Sequence, residues 1–245
     1  MARLISLELD RGKVLDWEAY PFTVPAIRTL GRIEVHSPVL FLAGENGSGK
    51  STLLEAIADH YGFGLEGGNR NTRFSTTASS SAIQPLRQAL RIAFSKRTGR
   101  GFFLRAESFF NLASYVDEMD VSFAYGGQSL HKQSHGESFF SFLDSRIQSR
   151  GLYLMDEPEA ALSPQRQLAV LALLHRAAKN VSEVQFVVAT HSPILLAYPG
   201  AQILSFDEGN VHEITYRQTQ SFQFFSKFLA EPERYLHYLF RDEQG

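Results

Sequence analysis

The eight residues "GENGSGKS", residues 44–51, match the spacing G-x-x-x-x-G-K-S/T in full. Glycines at these positions let backbone N–H groups point inward at a phosphate chain without side-chain clashes. The motif follows the continuous apolar run "SPVLFLAG" and precedes "STLLEAIADHYG", which has the composition of a helix ended by Gly62. The start of that helix carries a partial positive charge, which would attract the same phosphate chain. The pattern predicts a phosphate-binding loop rather than a chance glycine-rich turn.

Within this loop, two side chains have specific expected tasks. Lys50 would reach the β and γ phosphates of a nucleoside triphosphate, and the Ser51 hydroxyl would ligate Mg²⁺. The predicted cofactors are therefore ATP and Mg²⁺. The full set of predicted phosphate contacts is Gly44, Glu45, Asn46, Gly47, Ser48, Gly49, Lys50, Ser51 and Thr52.

Polar residues also end two further apolar runs. Asp156 and Glu157 follow "GLYLM", and His191 follows "VQFVVAT". Since ligands bind at the carboxyl edge of open α/β sheets, these side chains are candidates for one site with the phosphate loop. We expect Asp156 to hold Mg²⁺ and Glu157 to polarise an attacking water. The alternatives are acids that only cap the next helix and a histidine that is simply a satisfied polar group.

The elements that must position these residues alternate between strand and helix along the chain. This order predicts a mostly parallel sheet with helices on both faces. We predict one domain over residues 1–245, with residues 1–63 and 151–245 as the nucleotide-binding core and residues 64–150 as an inserted, mainly helical subdomain. A small antiparallel portion is expected at "AQILSFDEGNVHEITY", with a turn at residues 207–210.

Several local patterns give more detailed expectations. Residues 64–82 are rich in Gly, Ser, Thr and Asn and predict a loop. Residues 85–97 predict a helix with Pro85 in its first turn, and residues 101–110 predict a strand. The aromatic segment at 221–240 predicts a helix docked on the core.

The composition excludes several kinds of site. The 245-residue chain is 44% hydrophobic and 20% charged and has a formal net charge of -2, so no overall basic field recommends nucleic acid as a partner. It contains no cysteine, which rules out disulfides, thiolate metal sites and cysteine nucleophiles. No uncharged apolar run approaches the ~20 residues needed to cross a bilayer. A cytoplasmic location is expected, with peripheral attachment to the inner membrane through a partner as the variant.

Taken in order, "GENGSGKS", "SHGES", "LYLMDEPEAALS" and "ATHSP" resemble the motifs of the ATP-binding-cassette (ABC) ATPases. Glu137 in "SHGES" is similar to the structural-maintenance-of-chromosomes branch, which carries S-G-G-E where transporters more often carry S-G-G-Q. The closest likeness is to compact AAA-family or cassette-type ATPases of bacteria. Long heptad segments are missing, so no coiled-coil arms are expected.

The resemblance assigns further roles. It makes Asp156 the Walker B magnesium acid, Glu157 the catalytic base and His191 the switch histidine, acting with Lys50 in catalysis. It implies a head-to-tail, ATP-dependent homodimer in which the signature contacts the partner subunit's ATP. The signature residues are Ser134, His135, Gly136 and Glu137. The dimer-contacting D-loop would be Ala160, Ala161, Leu162 and Ser163.

The sequence departs from the family pattern at three places. His135 replaces the first glycine of the signature, Ser163 replaces the D-loop aspartate, and no glutamine marks the Q-loop. By position, Glu107 or Ser108 is the Q-loop candidate for a metal or water contact. Tyr20 and Phe22 precede the phosphate loop and are candidates for stacking on adenine, although an aromatic there is more often part of a core.

The implied function is Mg²⁺-dependent ATP hydrolysis that powers a process in an unidentified protein partner. Three alternatives remain open at this point. The chain could be the nucleotide-binding subunit of an importer with a membrane permease, a weakly hydrolysing ATP switch, or a DNA-maintenance or antiviral-defence ATPase. Glu157 and His191 together favour hydrolysis over a passive switch.

Overall fold

A computed structural model describes residues 3–65, 67–68, 77–95, 100–107, 135–147, 150–180 and 183–240. The strands are β1 Leu4–Leu9, β2 Ile33–Glu34, β3 Val39–Ala43, β4 Leu90–Phe94, β5 Gly101–Arg105, β6 Gly151–Asp156, β7 Val184–Thr190, β8 Gln202–Ser205 and β9 His212–Ile214. The helices are α1 Pro25–Arg28, α2 Lys50–Tyr61, α3 Thr77–Ala89, α4 His135–Arg146, α5 Pro164–Asn180, α6 Pro193–Leu196, α7 Gln220–Ala230 and α8 Pro232–Leu239. Short 3-10 turns lie at Arg11–Lys13, Pro158–Ala161, Asp207–Gly209 and Tyr216–Gln218.

The central sheet has the strand order β5-β6-β7-β3-β8-β9. All neighbouring pairs are parallel except β8 with β9, which form the predicted antiparallel hairpin. A second, antiparallel sheet has the order β2-β1-β4. The mostly parallel α/β architecture with a small antiparallel portion is thus confirmed.

The parallel strands are buried on both faces, as their continuous apolar runs predict. In β3, Leu40 and Leu42 join one apolar cluster with the buried side chains of α2, while Phe41 and Ala43 join a second cluster with those of α5. Because strand side chains alternate between faces, one five-residue strand supplies both halves of the core. The helix boundaries also follow the sequence: Gly62, at φ 95°, ends α2 as predicted, and its N–H donates to the carbonyls of Ala58 and Asp59.

Two expectations in the middle of the chain were wrong. The helix at Thr77–Ala89 begins inside the predicted 64–82 loop and places Pro85 in its interior rather than in its first turn. The predicted helix at 85–97 ends at Ala89, and Leu90–Phe94 is a strand that pairs antiparallel with β1. Strands β4 and β5 both lie within the predicted subdomain, residues 64–150, and pair with strands β1 and β6 outside it. The division into a nucleotide-binding core and an inserted subdomain stays a prediction. The sequence of residues 111–120 also predicts a helix, but these residues lie outside the described part of the chain.

The C-terminal expectation of one docked helix was also wrong. The segment forms two helices, α7 and α8, separated at Glu231, because Pro232 cannot continue α7 and instead starts α8. Neither helix contains a buried residue. Large apolar side chains remain exposed at Phe224, Phe225, Leu229, Leu236, Tyr238, Leu239 and Phe240.

No helix of the described part of the chain is long and apolar enough to cross a membrane.

Candidate functional site

Three neighbouring parallel strands bring the predicted polar residues to one edge of the central sheet. Strands β6, β7 and β3 are adjacent, and their registers pair Asp156 with Ala189 and Ala43 with Thr190. The phosphate loop, the two acids and His191 therefore leave the sheet at the same carboxyl edge. This is the arrangement on which the sequence prediction depended.

The phosphate loop runs from the end of β3 to the first turn of α2. Gly44, Gly47 and Gly49 have φ values of 149°, 80° and 103°. At Gly49, a Cβ atom would lie 3.0 Å from Val24 Cγ1, so both conformation and space favour glycine here. The loop opens onto a cleft of about 430 Å³ that Asn46, Gly47 and Lys50 help to line.

Lys50 lies almost wholly inside this cleft, with 3% exposure. Its Nζ donates to the carbonyl oxygens of Gly44 at 2.7 Å and Glu45 at 2.8 Å. Burial lowers the pKa of Lys50, and the nearby carboxylates of Glu157 and Asp156 oppose that shift. The ammonium is thus held by its own loop, at the start of the helix that would face a phosphate.

Ser51 and Asp156 form the second pair of the cleft. Ser51 Oγ donates to Asp156 Oδ1 at 2.8 Å. Burial raises the pKa of Asp156, while the hydrogen bond from Ser51 and the charge of Arg105 act in the opposite direction. A hydroxyl and a carboxylate at this distance are the pair predicted to share Mg²⁺.

Glu157 directs its side chain differently from Asp156. Its backbone adopts the left-handed conformation, φ 47° and ψ 52°, which is uncommon outside glycine and typical of functional positions. Glu157 lines the same cleft, and its Oε1 lies 4.0 Å from His191 Nδ1. The predicted base therefore lines the cleft, and the predicted switch histidine lies beside it.

Glu159 is a residue that the sequence reasoning missed. Its Oε1 accepts hydrogen bonds from Thr190 Oγ1 at 2.6 Å, the His191 backbone N–H at 2.8 Å and the Ser192 backbone N–H at 3.2 Å. The same oxygen lies 3.4 Å from His191 Nδ1. One buried carboxylate thus holds the His191 backbone and lies close to its ring. The only sequence signal was a second acid two residues beyond Glu157.

A second buried contact extends this cluster to the predicted D-loop. Ser192 Oγ donates to Gln167 Oε1 at 2.5 Å, and Gln167 Nε2 donates to the Leu162 carbonyl at 3.2 Å. The predicted D-loop residues Ala160 and Ala161 belong to the 3-10 turn at Pro158–Ala161, and Ala160 lines the cleft. Ser163 Oγ accepts the backbone N–H of Arg166 at 3.4 Å, so it caps the start of α5.

Two further residues support the phosphate loop from outside the motif. Asp207 Oδ1 accepts the backbone N–H of Glu45 at 3.0 Å. The Tyr20 hydroxyl lies 3.0 Å from Thr52 Oγ1, and Tyr20 lines the cleft. Phe22 is 2% exposed and packs edge-to-face against Trp17. Of the two aromatic candidates for adenine, only Tyr20 lies at the cleft.

The signature and Q-loop candidates are placed only in part. Ser134 and Ser108 lie outside the described residues, and His135, Gly136 and Glu137 form the first turn of α4. Glu107 lines the cleft, but its side chain is 83% exposed and lies 3.7 Å from Arg105 NH2. Arg105, which the sequence reasoning passed over, lies deeper in the cleft than the expected Glu107.

Comparison with known protein families shows which family the chain belongs to. The family model described as "AAA domain" matches residues 27–153, more than half of the chain. The chain belongs to this AAA-domain family. A second AAA-domain family model, described as "AAA domain, putative AbiEii toxin, Type IV TA system", matches residues 126–197 of the same AAA-domain protein. No curated protein matches the chain.

Solved structures similar to this AAA-domain protein share its fold at low sequence identity. One described as a metal-chelate type ABC transporter, in an inward-facing conformation, is 17% identical over 89% of this chain and 85% of that chain, with a TM-score of 0.54. The cbiO1 protein from Clostridium perfringens, part of the ABC transporter complex cbiONQ, is 16% identical over 94% and 97%, with a TM-score of 0.51. The SMC head domain from Thermotoga maritima is 16% identical over 87% and 98%, with a TM-score of 0.47.

The first two likenesses show that this chain shares the fold of the two structures from ABC transporters. The residues of the cleft also fit Mg-ATP on their own chemistry. The Ser48 hydroxyl is buried without a hydrogen-bond partner among the described residues, at the point where the loop would meet a phosphate oxygen. The glycines, Lys50 and the start of α2 supply donors and positive charge for an anion, and Ser51 with Asp156 supplies oxygen ligands for Mg²⁺.

Proposed function

We propose that this AAA-domain protein binds Mg-ATP in the cleft and hydrolyses it, using ATP-driven dimerisation to act on a protein partner. The observation that carries the proposal is the Ser51 Oγ to Asp156 Oδ1 contact of 2.8 Å in a cleft that also holds Lys50 and Glu157. It unites a phosphate-binding loop, a metal acid and a candidate base in one cleft of about 430 Å³. Bound Mg²⁺ would neutralise charge on the transferred phosphate.

The protein's own residues have separate tasks in this reaction. Lys50 must leave the carbonyls of Gly44 and Glu45 to meet the β and γ phosphates. Ser51 and Asp156 would hold the metal. Glu157 takes a proton from the attacking water, and His191 stands beside it to orient the terminal phosphate.

The first test is Mg²⁺-dependent phosphate release with Lys50→Ala. Removing the ammonium should abolish measurable turnover, because the charge that meets the β and γ phosphates is lost. The matched control is Lys179→Ala, which removes an exposed lysine from the last turn of α5. Unchanged hydrolysis in Lys50→Ala would contradict the assignment of the phosphate loop.

A second test separates the two acids. Glu157→Gln should still bind Mg-ATP but lose turnover, whereas Asp156→Asn should weaken the Mg²⁺ dependence of binding itself. Calorimetry with and without Mg²⁺ measures both. A Glu157→Gln protein that no longer binds Mg-ATP would show that the roles are reversed.

The proposed dimer is head-to-tail, with each ATP held between two subunits. Residues 134–137 would meet the γ-phosphate bound by the partner, because α4 begins at His135 and offers unpaired N–H groups at its start. Two equivalent sites follow from the two-fold symmetry. Only ATP, and not ADP, has the phosphate that bridges the subunits.

Light scattering tests the dimer. Glu157→Gln in ATP should be dimeric, and adding Ser134→Arg should keep the protein monomeric while ATP binding by the monomer is retained. Equal dimerisation of the single and double variants in ATP would mean that residues 134–137 make no contact across the interface.

The match to residues 126–197 favours toxic or defensive activity as a second candidate for the biological process, since its description names a toxin of a type IV toxin–antitoxin system. Growth arrest on induced expression tests this candidate. We expect arrest with the wild-type chain and none with Lys50→Ala at equal protein level. Normal growth with both would remove the candidate while leaving ATP hydrolysis untouched.

A further inference from the structure

Arg105 occupies the end of β5, where it lies beside the metal acid. The register of β5 and β6 pairs Arg105 with Asp156. Its side chain is 21% exposed and lines the cleft together with Lys50, Ser51 and Glu157. An arginine therefore stands in the cleft two residues before Glu107, the first of the two Q-loop candidates.

The Arg105 guanidinium makes a short hydrogen bond through NH1, whereas Nε and NH2 lie farther from the nearest carboxylates. NH1 donates to Glu55 Oε1 at 2.6 Å. Nε lies 3.6 Å from Asp156 Oδ2, too far for a hydrogen bond, and NH2 lies 3.7 Å from Glu107 Oε2. Nε is buried and has no hydrogen-bond partner among the described residues. A buried N–H without an acceptor lowers the stability of the protein, so an acceptor from a bound ligand would be favourable at this position.

The hydrogen bond with Glu55 ties Arg105 to α2, the helix that begins at Lys50. Glu55 is four residues after Ser51 on α2, so both side chains lie on one face of that helix. Two neighbouring acids, Glu55 and Asp156, have their pKa values raised by burial, and Arg105 acts against the shift in both. One guanidinium thus lies beside two carboxylates, the partly buried Glu55 and the buried Asp156, and the latter is expected to gain Mg²⁺.

We propose that Arg105 contacts the terminal phosphate of bound ATP, with NH1 still held by Glu55 while Nε and NH2 turn from Asp156 and Glu107 to phosphate oxygens. This inference rests on the proposed function. Mg²⁺ near Asp156 would repel a guanidinium 3.6 Å from that carboxylate, and a phosphate accepts the fork of an arginine through two parallel hydrogen bonds. Arg105 would then stabilise charge on the γ-phosphate from within the same chain.

The competing view is that Arg105 only neutralises the two buried acids. The two views differ in what they predict for ATP and ADP, because only ATP carries the phosphate in question. Calorimetric affinities of Mg-ATP and Mg-ADP are therefore measured for the wild-type protein, Arg105→Met and Arg105→Lys. Thermal unfolding of each nucleotide-free protein shows whether it is folded.

For Arg105→Met we expect ATP affinity to fall about tenfold or more with ADP affinity nearly unchanged, since charge-assisted hydrogen bonds are lost only to the γ-phosphate. Arg105→Lys keeps the charge but loses the fork, and we expect an intermediate loss. Equal weakening of ATP and ADP, or an unchanged ratio in both variants, would overturn the proposal.

Arg91→Met is the matched control, because it removes an exposed arginine of β4 that pairs with Asp10 and is not among the described residues lining the cleft. Its ratio of ATP to ADP affinity should stay within about threefold of the wild-type ratio. A fall as large as that of Arg105→Met would show that the ratio does not depend on a contact made by Arg105 and would overturn the proposal. Failure of the wild-type chain to bind Mg-ATP is a different result, which contradicts the proposed function instead.

Discussion

The carboxyl edge of the central sheet and the C-terminal helix pair treat their side chains in opposite ways. At the sheet edge, polar groups such as Lys50, Asp156 and Glu159 are buried and held by specific contacts. In α7 and α8, aromatic and aliphatic groups are exposed and contact mainly each other, as Phe224 and Phe228 do with ring centroids 5.9 Å apart. A groove of about 680 Å³ lies along this helix pair and is larger than the cleft of about 430 Å³ at the phosphate loop.

The difference follows from what each region packs against. A parallel strand between two others has both faces covered by helices, so even its polar end groups are enclosed. The helix pair is tied to the domain at its start, where Thr219 is buried and Tyr216 packs against Phe222. Beyond that point its large apolar side chains, such as Leu229 and Leu239, are mostly exposed. Aromatic content alone therefore does not indicate a core.

The largest expected effect compares one phenylalanine from each region. Phe186 in β7 is fully buried and stacks on Tyr153, so Phe186→Ala should cost about 3–5 kcal/mol of unfolding free energy. Phe225→Ala, at a position that is 41% exposed, should cost less than about 1 kcal/mol. Urea unfolding of both variants measures the contrast. Equal losses would mean that the helix pair is packed in solution as firmly as the sheet.

The next effect concerns the buried polar groups of the sheet edge. Glu159→Ala leaves the Thr190 hydroxyl and the His191 N–H without their acceptor and removes one of two acceptors of the Ser192 N–H, which should cost about 3 kcal/mol. Glu159→Gln keeps an oxygen in the same place and should cost less than half as much. The same urea experiment checks both. A Gln variant as unstable as the Ala variant would show that the charge, and not the hydrogen bonds, holds the segment.

The same comparison explains which parts of the structure could be predicted. The phosphate loop, Asp156, Glu157 and His191 depend on local motifs at the ends of apolar runs, and parallel strands bring such ends together whatever lies between them. Arg105 and Glu159 could not be found this way. Their roles depend on contacts with Glu55 and with the segment after β7, which no local pattern encodes.

The errors in element type have the same origin. Leu86 and Leu90 are spaced as in a helix, yet the backbone after Ala89 pairs with β1, more than 80 residues earlier, and becomes a strand. Tertiary pairing here overrides a local pattern that favours a helix. At the C-terminus, the apolar pattern predicted helix correctly, while Pro232 divides the helix and the predicted docking was wrong.

A smaller effect concerns the stability of the nucleotide-free protein. Because burial raises the pKa of Asp156, the folded protein binds that proton more tightly than the unfolded chain does. This contribution favours folding at pH below the ordinary value of 3.8 and is lost as the pH rises through the folded pKa. At neutral pH the ionised group therefore opposes folding, as is common at functional sites.

Asp156→Asn should consequently raise the Tm of the nucleotide-free protein by about 2–4 °C at pH 8, with a smaller gain at pH 4. Glu157→Gln, which changes the more exposed neighbouring acid, should leave the Tm nearly unchanged. Differential scanning calorimetry at both pH values measures this. A Tm that falls in Asp156→Asn at pH 8 would mean that the contacts with Ser51 and Arg105 outweigh the cost of burial.

The smallest expected effect is in the helix pair. Leu229 and Leu239 are 72% and 68% exposed, so the double change Leu229→Gln with Leu239→Gln removes little buried apolar area. Leu and Gln also have similar helix propensities, and the unfolding free energy should change by less than about 0.5 kcal/mol. The affinity for Mg-ATP should not change. By contrast, Leu173→Gln, which puts an amide at a position in α5 that is 3% exposed, should destabilise the protein severely.

The double variant could instead lose more than about 1 kcal/mol of unfolding free energy, by an amount that depends on protein concentration. That result would mean that a second copy covers the exposed face in solution, because only association makes stability depend on concentration. The contrast between the two regions would then be a property of the single chain and not of the assembled protein.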